Sequence, residues 1–150
     1  MLQRSFSENS KVEIRPHGSE DQSQVVALWK AGFPYDPPWN EPVSVIRRKL
    51  TVQPELLLIG HVNSRIVATV MAGFDGVRGW IHHLAVLAEY RRKGIATMLM
   101  HSAEQGLEAQ GCPKVNLQVR ATNTAVISFY RSLGYDVEER ISLGKLLGAA

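Results

Sequence analysis

The stretch Leu84-Ala85-Val86-Leu87-Ala88-Glu89-Tyr90-Arg91-Arg92-Lys93-Gly94-Ile95-Ala96 passes from an apolar strand pattern, through a short basic turn, into a helix pattern. A helix start leaves backbone N–H groups unpaired and carries the positive end of the helix dipole. A glycine there lets an anion approach the main chain, and three cations stand directly before it. Such an arrangement suits a phosphate, above all a pyrophosphate. Spacing alone leaves a solvated basic turn as the alternative. The stretch is neither a Walker loop (G-x-x-x-x-G-K-S/T) nor the dinucleotide pattern G-x-G-x-x-G.

Composition bounds the rest. The chain has 150 residues, 17 Lys+Arg against 14 Asp+Glu, and a net charge of +3 with His neutral. Apolar residues make up 45%, the average for a globular protein, which excludes a disordered or collagen-like chain. No apolar run approaches the roughly 18 residues that would cross a bilayer. Cys112 is the single cysteine, so no intrachain disulfide forms, and with five scattered histidines it makes no metal motif. Cys112 reads as structural, because nothing in the sequence supplies a base partner. Residues 1–10 are polar around Phe6 and lack the apolar core of a signal peptide. The expectation is a cytoplasmic protein with a flexible segment over 1–10 and one domain over 11–150.

The chemistry-bearing stretch needs positioning elements. Val12 to Arg15 is a strand candidate. Ser19-Glu20-Asp21-Gln22 has capping-box spacing before a helix with Val25, Val26, Leu28 and Trp29. Gly32 to Pro42 is broken by prolines and carries Tyr35, Asp36, Trp39, Asn40 and Glu41. A second helix starts at Pro42 or Val43. Leu56 to His61 and Ile66 to Phe74 form a hairpin, and Trp80 to Val86 a third strand. In a plain strand Trp80, His82 and Leu84 share one face, with Ile81 and His83 on the other. Gly94 to Gln110 is the strongest helix, with Ile95, Met98, Leu99, Ala103 and Leu107 as its apolar stripe. Val115 to Val119 is a strand. Thr122 or Asn123 caps a helix that ends at Gly134, and Tyr135 to Leu146 is again strand. The order β-α-α-β-β-β-α-β-α-β gives an α/β fold with a mixed sheet: a central antiparallel meander followed by a parallel part.

Arg91-x-x-Gly94-x-Ala96 after a Leu-Ala-Val strand resembles motif A of the GNAT superfamily of N-acetyltransferases, Q/R-x-x-G-x-G/A. Asn123, followed by Phe129-Tyr130-Arg131-Ser132-Leu133-Gly134-Tyr135, resembles its motif B. Trp39-Asn40, Gly73 to Gly76, Gly111 to Lys114 and Ser142 to Lys145 are similar to small stand-alone bacterial members of the YpeA type.

The resemblance implies the GNAT fold, with Trp80 to Val86 splayed from a parallel neighbour at Val115 to Val119. It implies acetyl-CoA as cosubstrate, with no metal. Main-chain groups of Leu84, Ala85 and Val86 would then contact pantetheine, with the Leu84 N–H aimed at the thioester oxygen. Arg91, Arg92, Lys93, Gly94, Ile95 and Ala96 would hold the pyrophosphate. Asn123 would bond the pantetheine arm, or act only as a helix cap. Tyr130 would face the sulfur and protonate the leaving thiolate, where helical spacing alone would make it core.

The base is less defined. Some relatives carry a glutamate where this chain has Trp80. His82 matches the second of two strand histidines that line a proton path in aralkylamine-type members. Asp75 and His83 are weaker candidates. The loop over Gly32 to Pro42 falls where the family builds one wall of the acceptor site; alternatively Trp39 fills the core edge.

The implied reaction is acetyl transfer to a small-molecule amine or a peptide N-terminus, by direct attack in a ternary complex. Two other readings stay open. One is a protein N-terminal acetyltransferase of the ribosomal-protein alanine type. The other is a non-catalytic acyl-CoA-binding regulatory domain. A nucleic-acid partner is not expected from one short basic cluster, nor is a membrane. Oligomeric state stays open, with a homodimer as one option.

Overall fold

A computed structural model of the chain describes residues 11–148, so the flexible start expected over 1–10 lies outside the described residues. The chain divides after Gln118 into two compact units.

The first unit carries one five-stranded sheet in the order β1 (Glu13–Pro16), β2 (Leu57–Val62), β3 (Arg65–Phe74), β4 (Gly79–Val86), β5 (Val115–Leu117). The first three pairings are antiparallel and β4–β5 is parallel, which is the mixed sheet expected. Helices α1 (Gln22–Gly32), α2 (Pro42–Lys49) and α3 (Ile95–Ala109) complete the unit.

Local chemistry explains the element ends. Asn63 takes the left-handed conformation in the β2–β3 turn, which its short polar side chain tolerates. Asp75 Oδ1 accepts from the N–H groups of Val77 and Arg78, both at 2.8 Å, and closes the β3–β4 turn. Glu41 caps α2 by accepting from Val43 N at 3.0 Å and Ser44 N at 2.9 Å, with Pro42 in the first turn. The capping box expected from Ser19 to Gln22 does not form. Asp21 takes the role instead, accepting from Gly18 N at 2.8 Å and from Arg15 at 2.7 Å. A charge-assisted pair with a β1 arginine outcompetes a neutral serine cap.

Helices α1 and α2 cover one face of the sheet. Val25, Leu28, Trp29, Val45 and Ile46 pack there with Leu57, Ile59, Met71 and Ala85. Helix α3 supplies Leu99, Met100, Ala103 and Leu107 to the core. It approaches β4 closely: a Cβ at Gly79 would lie 2.8 Å from Cys112 Sγ and 2.9 Å from Leu107 Cδ1. Cys112 is buried there, as its structural reading required. The α3 stripe needs one correction. Met98 is exposed and Met100 is fully buried, because the buried face extends toward the side where Met100 precedes Ala103 and Leu107 by three and seven positions.

The second unit holds α4 (Thr124–Ser132). The strand expected over Tyr135 to Leu146 is a further correction: within this unit the segment forms no regular element. Among the described residues no helix is long and apolar enough to cross a membrane.

Candidate functional site

The site in the first unit is built around the exit of β4. The β4–β5 ladder has three pairs, Gly79↔Val115, Trp80↔Asn116 and Ile81↔Leu117, and ends there. From His82 onward β4 diverges from β5 and pairs only on its β3 side.

That other side is irregular. Met71 pairs with His82 and Thr69 with Ala85, so two residues of β4, His83 and Leu84, stand opposite Val70 alone. This is a β-bulge, and His83 carries it with φ +54°. A non-glycine residue there costs on the order of 1–2 kcal/mol. A buried relay offsets the strain: Trp29 Nε1 donates to Thr69 Oγ1 at 2.8 Å, and Thr69 Oγ1 donates to the His83 carbonyl at 2.9 Å.

The bulge corrects the alternation read from the sequence. His82 and Ala85 both lie on the face covered by α1 and α2, since each pairs with a β3 residue of that face. His83 joins them, its ring 4.3 Å from that of Trp29 and 5.4 Å from that of Phe33. The two histidines therefore sit on the same side, and Leu84 is re-aimed relative to Trp80 and His82.

After β4 the chain turns toward α3. Glu89 pairs with Arg65 at 2.7 Å, and Arg65 lies 5.6 Å over the Tyr90 ring. Arg91 Nε donates to the Val86 carbonyl at 3.0 Å, so this cation also pins the turn to the end of the strand. Arg92 (φ +63°) and Gly94 (φ +80°) are left-handed, and no side chain caps α3. Left-handed residues in such a turn gather successive backbone N–H groups into a concavity that suits an anion. Arg91 to Gly94 are exposed around it, while the Ile95 side chain anchors the helix start in the core. Ala96 follows in the first turn, where N–H groups have no intrahelical partner.

The candidate bases separate clearly. His82 is reached by solvent but crowded by protein on its other sides. That crowding, and then the charge of Lys49, hold its pKa below the ordinary imidazole value. It is a neutral acceptor at neutral pH. Burial pushes His83 down to about 4, and its Nδ1 is buried without a hydrogen bond. Asp75 is held low by its bonds to Arg78 and Val77 and by Trp80 Nε1 at 3.3 Å, so its carboxylate is already committed.

His83 also ties stability to pH. In the folded chain it stays neutral down to about pH 4, whereas an unfolded imidazole protonates near 6.5. The unfolded state binds more protons in that window, so stability is full above pH 6.5 and falls as pH drops toward 4, by as much as about 3 kcal/mol. Urea unfolding at pH 7 and pH 5 should show this loss. His83→Asn tolerates the left-handed backbone and should flatten the slope, leaving the smaller part due to His17 and His82, whose pKa values are also lowered.

On the 33–42 loop, Tyr35 is 90% and Trp39 54% exposed, so Trp39 does not fill the core edge. Arg48 donates to the Trp39 carbonyl at 3.2 Å and ties the loop to α2.

The first unit thus brings His82, Leu84 to Val86 and Arg91 to Ala96 to one end of the sheet. Asn123 and Tyr130 lie on the second unit. The Asn123 side chain accepts from Val126 N at 3.3 Å and caps α4. Tyr130 is buried, with ring contacts to Phe129 at 5.1 Å and Tyr135 at 5.8 Å, and burial pushes its phenol up to about 12. Phe129 is half-buried beside it.

Sequence reasoning missed Lys49 and the Trp29–Thr69 relay. A signal for Lys49 existed: it follows Val45 by four residues and Ile46 by three, on the buried stripe of α2.

The sequence profile of the acetyltransferase (GNAT) family matches residues 21–135. An acetyltransferase of Yersinia pestis (strain Pestoides F) is 43% identical over 136 residues, covering 91% of this chain and 96% of its own length. The solved structure of AAC(6')-Iy in complex with the bisubstrate analogue CoA-S-monomethyl-acetylneamine aligns with a TM-score of 0.77 at 18% identity, over 91% of this chain and 99% of that one. The PaiA N-acetyltransferase of Thermoplasma acidophilum, in complex with coenzyme A, aligns at 0.68 and 22% identity, over 87% and 93%. The two structural likenesses show the shared fold. The chain belongs to the acetyltransferase (GNAT) family and is an acetyl-CoA-dependent N-acetyltransferase.

Proposed function

We propose that this enzyme, acting as one domain over residues 11–150, transfers the acetyl group of acetyl-CoA directly to an amine in a ternary complex. The observation that carries the reading is the uncapped start of α3 behind the left-handed Arg92 and Gly94, at the end of a strand that has parted from its parallel neighbour. The pyrophosphate of acetyl-CoA is held by backbone N–H groups from Arg91 to Ala96, with Arg92 and Lys93 adding charge. The pantetheine arm runs along Leu84 to Val86, and Asn123 bonds it by family resemblance.

In the chemical step the neutral amine attacks the thioester carbonyl carbon. An N–C bond forms, the C–S bond breaks, and coenzyme A leaves as a thiolate. The Leu84 N–H donates to the carbonyl oxygen as negative charge collects there. His82, directly or through a water, accepts the proton that the amine must lose. Tyr130 gives its proton to the thiolate. The acceptor is a small-molecule amine or a peptide N-terminus.

Calorimetric titration with acetyl-CoA, followed by coenzyme A release with a panel of amines and short peptides, tests the reading. Binding at one site per chain, with acetyl transfer to at least one class, is the expected result. Binding without transfer to any acceptor would favour a regulatory acyl-CoA-binding role.

A further inference from the structure

Thr69 lies in the middle of β3 with none of its surface exposed, and Trp29 of α1 is almost as deeply buried. Buried polar groups are held by hydrogen bonds, and these two side chains share one chain of them. Trp29 Nε1 donates to Thr69 Oγ1 at 2.8 Å, and Thr69 Oγ1 donates to the His83 carbonyl at 2.9 Å. Both donors point the same way, from the helix toward the bulge in β4. Holding His83 in its left-handed conformation is one consequence of this relay. The peptide it ends on has a second one.

The His83 carbonyl belongs to the peptide unit that also carries the Leu84 N–H. In a trans peptide the two groups lie in one plane and point in opposite directions, so fixing the carbonyl fixes the N–H. The sheet leaves that N–H without a ladder acceptor. The Leu87 N–H donates to the Val67 carbonyl at 2.8 Å, so Val67, Thr69 and Met71 turn their main-chain groups toward β4. Val70, which alone stands opposite His83 and Leu84, turns its own toward β2, where it pairs with Leu58. The relay also acts on the strength of the donor. A hydrogen bond to an amide oxygen polarises the amide, and in a buried, low-dielectric setting successive bonds reinforce one another.

We infer that Trp29 and Thr69 are positioning residues for acetyl transfer, whose relay through the His83 carbonyl aims the Leu84 N–H at the thioester oxygen and strengthens it as a donor. This rests on the acetyl-transfer reading above, in which that N–H meets the oxygen as negative charge collects there. Neither side chain touches substrate. A donor that is already oriented needs no rearrangement when the charge develops, so the relay favours the transition state over the bound thioester. Its loss falls on kcat more than on affinity for acetyl-CoA.

The test compares Thr69→Val, which keeps the shape and removes the hydroxyl, with Thr69→Ser, which keeps the hydroxyl. Thr69→Val should lower kcat for coenzyme A release by roughly tenfold or more, with the calorimetric Kd for acetyl-CoA within about twofold of native. Thr69→Ser should restore most of the rate. The infrared carbonyl stretch of bound acetyl-CoA, isotope-labelled at the acetyl carbonyl carbon, reads the donor without turnover. It should lie below the free-ligand position in native protein and Thr69→Ser, and move back toward it in Thr69→Val; a packing defect alone would not move it. Trp29→Phe removes the first link and should give a smaller change in the same direction, and it carries the test if Thr69→Val does not fold. A native rate and native carbonyl band in Thr69→Val, a loss that Thr69→Ser does not restore, or an unshifted band in native protein would overturn the inference. Coenzyme A release by native enzyme in those cases leaves the acetyl-transfer reading standing; failure to bind acetyl-CoA would remove both.

Discussion

Tyr130→Phe should lower kcat by about 10²-fold or more while leaving the Kd for acetyl-CoA within roughly twofold of native. The phenylalanine ring keeps the edge contacts with Phe129 and Tyr135, so the thermal midpoint should move little. What disappears is one O–H. Burial raises the phenol pKa to about 12, so the group is protonated throughout the neutral range and can act only as a donor. Stopped-flow coenzyme A release under single-turnover conditions, with calorimetry in parallel, separates chemistry from binding. A native single-turnover rate would remove Tyr130 from the chemical step. No rate limb from Tyr130 should appear between pH 6 and about pH 10.

Gly94→Asp should weaken acetyl-CoA binding by on the order of 10²-fold, because like charges brought together cost several kcal/mol. The position permits the test. Nothing lies within 4 Å of an added Cβ, so packing is not disturbed. Its φ of +80° is one that aspartate and asparagine tolerate better than other side chains. Gly94→Asn keeps nearly the same shape without the charge and should lose far less. The gap between the two should narrow as salt is raised, since the turn is exposed. Equal affinities for both variants and the native protein would mean that the pyrophosphate is not held at this turn.

The basic turn before α3 was legible because its elements are local. A strand pattern, three consecutive cations and a glycine before a helix need no tertiary contact to be recognised, and the structure places Arg91 to Ala96 as that order implies. The hairpin turns and the start of α2 at Pro42 were legible for the same reason. The faces of β4 were not. Strand alternation assumes an unbroken pleat, and the bulge at His83 is stabilised by Trp29 and Thr69, each distant in sequence. Two readings failed where pattern alone could not rank neighbours. Met98 and Met100 flank one stripe, and only the sheet beneath α3 decides which is buried. Tyr135 to Leu146 has strand-like residues, yet within its unit it forms no regular element.

The sequence by itself determined the family, the acyl donor and the basic turn before α3. Each depends on residue type at short spacing, which the chain carries whatever else it packs against. Tertiary structure alone decided which groups near β4 can titrate. His82 and His83 are adjacent and chemically identical, yet one is reached by solvent and feels the charge of Lys49 while the other is half-buried against Trp29 and Phe33. It also decided that a lysine from a basic run points inward to the Ala72 carbonyl. Burial and charge proximity belong to the space between elements, so a pKa, unlike a motif, is a property of the fold.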